Sequence, residues 1–140
     1  MSDTQTRTPA PKRSRFERNH DRIYDAAIGL FAARGPDVVT MEDIAVAVGM
    51  SRSSIFNHFP SKNLILATFF TRMTSEIIAE ARAKPMRSFR HAIIDLGRIA
   101  GAHAMHHGPI VASIAGLTAP SQPLASAEQA TDAAMRTYLL

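Results

Sequence analysis

Cysteine and tryptophan are both missing from the 140 residues of this chain, and aromatic residues make up only 6% of it. Without cysteine the chain has no disulfide framework, no thiolate metal site and no cysteine nucleophile. No apolar run approaches the length of about 18 residues that a transmembrane helix needs. The N-terminus is polar and lacks the apolar stretch of a secretory signal, so we expect a cytoplasmic protein that does not enter a membrane.

Carboxylates are missing from one long segment, Ile44 to Ser75, although the chain has 12 acidic residues in all. The formal net charge is +4. Residues 1–22 hold six basic side chains against three acidic ones. A basic surplus beside a carboxylate-free segment favours an acidic partner such as nucleic acid, although many basic proteins bind none.

No stretch of useful length shows the alternation of a β-strand, whereas apolar residues recur at helical spacing throughout. The clearest apolar stripes are Ile23, Ala27, Leu30 and Phe31; Leu66, Phe69, Phe70, Met73 and Ile77; and Phe89, Ile93, Leu96 and Ala100. We therefore predict an all-α fold. The predicted helices cover residues 19–34, 40–49, 51–59, 62–83, a stretch around 89–100, 110–117 and 126–140.

Residues that begin or end helices lie between these stretches. Residues suited to begin helices are Thr40, Ser51, Ser61 and, with Gln129 as its capping-box partner, Ser126. Asp43 follows Thr40 at the spacing of a capping box. Gly35 and Pro36 end the first helix, and Pro60 ends the third. Gly49 can adopt the positive backbone angle of a tight turn, which makes residues 40–59 a predicted helix-turn-helix.

The second helix of that pair presents polar side chains away from its buried residues. They are Arg52, Ser53, Ser54, Asn57 and His58. Arginine can bond guanine with two hydrogen bonds and asparagine can do the same with adenine. The N-termini at Thr40, Ser51 and Ser61 can present backbone amides to phosphates. The competing interpretation is that the serines only cap helices and the others are ordinary surface.

The stretch RIYDAAIGLFAARGPDVVTMEDIAVAVGMSRSSIFNHFPSKNLI resembles the DNA-binding domain of the TetR family of bacterial transcriptional regulators. The matching features are AA, LF and RG in the first helix, T, IA and VG in the second, and S, NHFPSK and L afterwards. The resemblance covers residues 19–71. It implies a three-helix DNA-binding domain, followed by a long fourth helix and an all-helical region for ligand binding and dimerisation.

The resemblance also implies roles for individual residues. Positions that family members often use on the DNA backbone are matched by Thr40, Phe56, His58 and Lys62, and positions that often face bases by Arg52, Ser53, Ser54 and Asn57. Phe56 departs from the family, which commonly has tyrosine there. The phenylalanine lacks the hydroxyl that would bond phosphate, a loss of roughly 1 kcal/mol.

Three regions follow from these observations. We expect a disordered basic arm over residues 1–18, the DNA-binding domain over 19–71, and a helical effector-binding domain over 72–140 that is incomplete by the family's usual length. The predicted function is a transcriptional regulator, a repressor released from a palindromic operator by an unidentified small molecule. Homodimerisation is expected if the chain is complete, and no cofactor is expected.

Two alternatives remain open. The chain could be a truncated helical module that pairs with other family subunits. It could instead be a metalloprotein built on a histidine cluster, His103, His106 and His107, of which the first and last are one helical turn apart. No carboxylate is near them in sequence, so we predict no metal and no enzyme. An apolar ligand cavity could be lined by Phe69, Phe70, Met73 and Met105, although such residues are more often ordinary core.

Overall fold

The structure, a computed structural model, describes residues 13–85, 87–115 and 122–139. They form α1 (Arg15–Arg34), α2 (Met41–Val48), α3 (Arg52–His58), α4 (Lys62–Arg82), α5 (Phe89–His106), α6 (Gly108–Ala115) and α7 (Gln122–Leu139). The described ranges contain no strand. The predicted all-α fold is confirmed.

The first helix begins four residues earlier than predicted. Ser14 Oγ accepts a hydrogen bond from the backbone N–H of Glu17 at 3.1 Å, and the Glu17 carboxylate accepts one from the Ser14 N–H at 2.6 Å. This reciprocal capping box fixes the start of α1 at Arg15. The predicted disordered arm over residues 1–18 is therefore wrong for residues 15–18, and residues 1–12 lie outside the described ranges.

The turns of the helix-turn-helix follow the predicted signals. Thr40 and Asp43 form a complete capping box, with hydrogen bonds of 3.1 and 2.9 Å between side chain and backbone. Gly49 has φ 67° and ψ 37°, the left-handed conformation that glycine adopts without steric cost. Gly35 also has a positive φ, of 83°, where α1 ends. The tight turn between α2 and α3 is thus set by residues within it.

One core holds the first three helices together, and it extends into the second half of the chain. Its fully buried residues include Ile23, Phe31, Ile44, Ile55 and Phe59. The same cluster contains buried residues of α4 and, from the second half of the chain, Ile110 of α6 and Ala127 of α7. The main core therefore crosses the predicted domain boundary between residues 71 and 72.

A second, smaller core joins the far end of α4 to α5 and α7. Its buried members are Ile77, Ile78, Ala81, Ile99 and Tyr138. The hydroxyl of Tyr138 donates to the Ala81 carbonyl at 3.4 Å. The long α4 is thus packed at both ends.

The predicted buried stripe of α5 is partly wrong. Phe89 and Ile93 are 60% and 47% exposed, whereas Ala92 and Ile99 are buried. The helix carries apolar residues on more than one side, and α4 packs against the side that holds the alanine.

The predicted start of the last helix is also wrong. The helix begins at Gln122 and Ser126 lies inside it, because Pro123 fits the first turn of a helix. The break after α5 is confirmed, since α5 ends at His106 and α6 begins at Gly108. The predicted end of α6 at Leu117 lies outside the described residues.

Candidate nucleic-acid interface

Helix α3 is anchored on one side and polar on the other. Ile55 and the C-cap residue Phe59 are fully buried against the helices around them. Arg52, Ser53 and Asn57 are exposed, and Phe56 is half-buried. The helix therefore presents three of its predicted DNA-binding side chains to solvent on a fixed backbone.

The serines at the start of α3 form one connected group. Ser51 Oγ accepts a hydrogen bond from the Ser54 N–H at 3.3 Å and caps the helix as predicted. The same oxygen lies 3.2 Å from Ser53 Oγ and 2.8 Å from Ser54 Oγ. Because each hydroxyl has both donor and acceptor capacity, the three can re-form these bonds around an incoming phosphate or base.

Arg52 has two partners that the sequence did not indicate. Its Nη1 lies 3.4 Å from Oε2 of Glu42 on α2. Its guanidinium carbon lies 5.5 Å from the centroid of the Phe56 ring, at cation–π distance. Glu42 precedes the carboxylate-free segment in sequence, yet it faces α3 in space. Glu42 is thus a carboxylate beside α3 that would oppose a phosphate.

His58 lies inside an aromatic cluster between α1 and α3. Its ring stacks on Phe16 with centroids 4.2 Å apart, and His20 lies at the same distance from Phe59. Phe16 is 57% exposed. His58 Nδ1 is buried and has no hydrogen-bond partner among the described residues. Burial within this cluster and the nearby Arg72 lower the pKa of His20.

Phe16 was missed at the sequence level because it was assigned to a disordered arm. The Ser14 and Glu17 capping box was the available signal for an earlier helix start. With α1 extended to Arg15, its first turns lie beside α3. Arg15 and Asn19 line one concavity together with Ser54, Asn57 and His58.

Lys62 is placed differently from its predicted role on the DNA backbone. Its Nζ donates to the carbonyl oxygens of Pro36 at 2.6 Å and Val39 at 3.2 Å. These carbonyls belong to the loop between α1 and α2. The ammonium therefore ties the start of α4 to that loop, and one of its three N–H donors remains for another acceptor.

Thr40 is fully engaged as a cap. Its hydroxyl donates to Asp43 Oδ2 at 2.9 Å in addition to accepting from the Asp43 N–H. The hydrogen bonds from Thr40, first from its backbone and then from its side chain, lower the pKa of Asp43. The carboxylate is thus held ionised at the N-terminus of α2, where it competes with any phosphate for the same amides.

The histidines of α5 are placed apart from this interface. His103 Nε2 lies 3.5 Å from Oε2 of Glu80, a carboxylate that α4 supplies from far away in sequence. His107 packs edge-on against Phe69 with centroids 5.0 Å apart, and burial lowers its pKa. Within the described ranges no three His, Asp or Glu side chains are grouped closely enough to hold a metal ion.

The four residues suggested for an apolar cavity do not converge. Phe69 is buried in the main core. Phe70 and Met73 are half-buried and pack against that core. Met105 is 86% exposed on α5. That suggestion was wrong for Met105, because this residue faces solvent on a different helix.

Two short helices joined by a left-handed glycine turn, with a polar outer face on the second, form a helix-turn-helix, an arrangement found in many DNA-binding domains. The sequence profile described as "Bacterial regulatory proteins, tetR family" matches residues 23–68. The matched residues 23–68 lie within the stretch whose motifs resemble the TetR family.

Two curated relatives share this region. An HTH-type transcriptional regulator of Mycobacterium tuberculosis is 36% identical over 70 residues, which is 50% of this chain and 35% of the relative. The biofilm operon icaADBC HTH-type negative transcriptional regulator IcaR of Staphylococcus aureus is 44% identical over 45 residues, 32% of this chain and 24% of the relative. The matched part thus spans 35% of one relative and 24% of the other, well under two thirds of either.

A solved structure extends the likeness beyond the DNA-binding domain. It is Thermus thermophilus FadR, a TetR-family transcriptional repressor, in complex with lauroyl-CoA. The TM-score is 0.66 at 24% identity, over 83% of this chain and 60% of that one. At this identity the likeness shows the fold. The described part of the chain contains no helix with the length and hydropathy of a membrane span.

Proposed function

We propose that the chain binds double-stranded DNA through α3 and acts as a cytoplasmic transcriptional repressor that a small molecule releases from its operator. The observation that carries the proposal is the two-sided structure of α3. Its Ile55 is fully buried, while Arg52 and Asn57 are exposed. Such a helix can enter a major groove without disturbing the core behind it.

The residue roles follow from this placement. Arg52 and Asn57 would contact base edges, with Ser53 and Ser54 beside them. Ser51 lies where α3 begins and would approach a phosphate. Thr40 would do so only where a phosphate displaces the Asp43 carboxylate from its N–H and hydroxyl. His58, Phe56 and the remaining Lys62 donor would flank the backbone. The proposal for Lys62 is limited to one N–H, since two of its donors bind loop carbonyls.

The names of two similar proteins support repression rather than activation. IcaR is named a negative regulator and FadR a repressor. FadR holds lauroyl-CoA in a fold that this chain shares, which supports a small-molecule effector. The named relatives are transcriptional regulators, and this supports the prediction that the chain is not an enzyme.

A homodimer on a palindromic site is part of the proposal, because a two-fold protein gains from engaging both half-sites. A second candidate function, association with another subunit, is favoured by the exposed apolar residues of α5. They are Phe89, Ile93, Ile94 and Met105. Light scattering on the purified chain separates these cases, since a stable homodimer contradicts a module that exists only to pair with other subunits.

The test is a fluorescence-anisotropy titration against DNA fragments from around the native gene at two salt concentrations. We expect site-selective binding that weakens with salt, with a slope that reports the number of phosphate contacts. Arg52→Ala and Asn57→Ala should each cost about 1–3 kcal/mol on the preferred site and less on random DNA.

Arg136→Ala is the matched control, because it removes an exposed arginine from α7 and leaves α3 intact. Equal losses on preferred and random DNA for the α3 variants would contradict base recognition by this helix. Binding that fails for every fragment, by a chain shown to be dimeric, would contradict the whole proposal.

A further inference from the structure

A cleft rich in cations lies between the loop that follows α4 and the first turns of α5. It encloses about 350 Å³, at the lower end of the range of about 300–1,000 Å³ that small-molecule sites occupy. The residues that give the cleft its charge and its apolar part are Lys84 and Arg87 of the loop and His91, Ile94, Asp95 and Arg98 of α5. This lining favours a small, charged ligand.

The four lining residues of α5 share one face of that helix. They occupy positions i, i+3, i+4 and i+7, the spacing that brings side chains onto the same side of a helix. A neighbouring face of α5 holds the buried residues Ala92 and Ile99, and Ile99 belongs to the smaller core. One wall of the cleft is therefore attached to that core.

The cleft has a surplus of two positive charges. Lys84, Arg87 and Arg98 are full cations, and Asp95 is the carboxylate among the described lining residues. Its Oδ1 lies 3.4 Å from Nη1 of Arg98. Within the part of the chain that the structure describes, Lys84 and Arg87 pair with no carboxylate. A dianion bound in the cleft would therefore neutralise the surplus.

His91 adds a neutral donor to these cations. Ser88 Oγ accepts a hydrogen bond from the backbone N–H of His91 at 3.4 Å, and it lies 2.8 Å from the ring Nδ1. The serine hydroxyl has one hydrogen, and donating it to Nδ1 leaves the ring proton on Nε2. A phosphate oxygen can accept a hydrogen bond from that N–H without a change in the charge of His91.

We propose that this cleft binds a phosphate monoester, with its phosphate on Lys84 and Arg87 and its carbon skeleton beside Ile94, which is 46% exposed. A phosphate monoester carries nearly two negative charges at neutral pH, which matches the surplus of the cleft. Lysine and arginine donate charge-assisted hydrogen bonds to phosphate oxygens.

The cleft is remote from the helix-turn-helix. It adjoins the C-terminal end of α4, whose 21 residues span roughly 30 Å from the end that follows α3. The inference therefore goes beyond the proposed function, and its test does not depend on DNA binding.

The first experiment titrates phenyl phosphate into the full chain at neutral pH and low ionic strength, with calorimetry as the readout. Benzenesulfonate, which has the same ring and a single negative charge, is the matched comparison. We expect phenyl phosphate to bind about three- to fivefold more tightly, as one additional exposed ion pair would give. Equal affinities, or no binding of phenyl phosphate, would overturn the proposal. Inorganic phosphate should bind more weakly than phenyl phosphate, and equal affinities of these two would overturn the role of Ile94.

Substitutions then test the location of the ligand. Lys84→Gln and Arg87→Gln should each weaken the binding of phenyl phosphate about three- to fivefold. Arg90→Gln is the matched control, because it removes an exposed arginine from the same end of α5 outside the lining. Asp95→Asn should tighten binding, because it raises the surplus of positive charge and releases Arg98. Equal losses in the control and the two test variants, or an unchanged affinity in Asp95→Asn, would overturn the location.

A soluble molecule and a lipid headgroup can present the same phosphate group. Co-sedimentation of the chain with phosphatidylcholine vesicles that contain phosphatidate separates these two sources. Vesicle binding that phenyl phosphate displaces identifies a lipid headgroup, whereas binding of phenyl phosphate without vesicle binding identifies a soluble ligand. Vesicle binding that phenyl phosphate does not displace would overturn the assignment of the phosphate to this cleft.

Discussion

Glu42 and Arg52 form an ion pair across the helix-turn-helix, with 3.4 Å between Oε2 and Nη1. Both side chains are about two-thirds exposed, at 65% and 67%. The pair holds the principal cation of α3 against a carboxylate of α2. If α3 binds DNA as proposed, the pair links DNA affinity to a residue that would not itself bind DNA.

Glu42→Gln is expected to tighten DNA binding. The substitution frees Arg52 and removes a negative charge that faces phosphate. An exposed pair contributes up to about 1 kcal/mol, so we expect a gain of roughly two- to fivefold at low salt that fades as salt rises. Glu128→Gln, which makes the same charge change at an exposed site on α7, is the control for net charge. Equal gains in both variants would assign the effect to net charge.

Phe56→Tyr should leave DNA affinity unchanged or raise it. The ring is half-buried beside Arg52, and a hydroxyl at its edge adds a donor for phosphate worth roughly 1 kcal/mol. Anisotropy titration on the preferred site measures the change. A large loss of affinity would show that Phe56 has a different role, such as packing against the DNA in a space too small for a hydroxyl.

Lys62→Met should lower the free energy of unfolding by about 1–3 kcal/mol, because the carbonyls of Pro36 and Val39 lose a charged donor. Urea denaturation measures this loss. Arg136→Met is the control for removing an exposed cation. The salt dependence of DNA binding tests whether Lys62 also contacts DNA, because its slope reports the number of phosphate contacts. A slope smaller by about one would place the remaining N–H on a phosphate, and an unchanged slope would make Lys62 purely structural.

Stability should fall as the pH decreases below about 6.5, the ordinary pKa of histidine. Burial lowers the folded-state pKa of His20, so near its ordinary value of 6.5 the unfolded chain binds more protons than the folded chain. The stabilisation is present above about pH 6.5 and is lost as the pH falls toward the folded-state pKa. His107 adds to this effect, because burial also lowers its pKa.

His20→Phe keeps a ring against Phe59 and removes the titrating group. We expect thermal unfolding of this variant to depend less on pH over the same interval. An unchanged pH dependence would assign the effect to another group.

Ile110→Ala should destabilise the DNA-binding domain although it lies far from it in sequence. Ile110 is fully buried in the main core, and truncating such a residue costs about 2–5 kcal/mol. Ile94→Ala, at a position 46% exposed on α5, is the matched control and should cost much less. A small effect of Ile110→Ala in urea denaturation would show that the first three helices are stable without α6.

Local features of this fold were predictable because their causes lie within a few residues. The Thr40 and Asp43 capping box, the left-handed Gly49 and the serine cap of α3 each depend on side chains at most three positions apart. The same reasoning failed at Ser14 and Ser126. At Ser14 a capping box was overlooked, and at Ser126 a pattern that resembles a cap lies within a helix that begins earlier.

The sequence predicted which side chains face outward in the interface, but it did not predict which residues contact one another. Sequence spacing indicates that Arg52 and Asn57 face away from Ile55, since a helix has a fixed period. It does not show that Glu42 faces Arg52 or that Phe16 stacks on His58, because those contacts depend on how separate helices pack. The apolar stripe of α5 was misassigned for the same reason, since several of its sides are apolar.

By itself, therefore, the sequence determined the helices, the glycine turn and the polar face of α3, all of which depend on short-range chemistry. Tertiary structure alone decided which distant groups meet. It placed Lys62 on the carbonyl of Pro36, 26 residues away, and Arg72 on Asp21, 51 residues away. Such pairs carry no sequence periodicity, because the packing of whole helices brings them together.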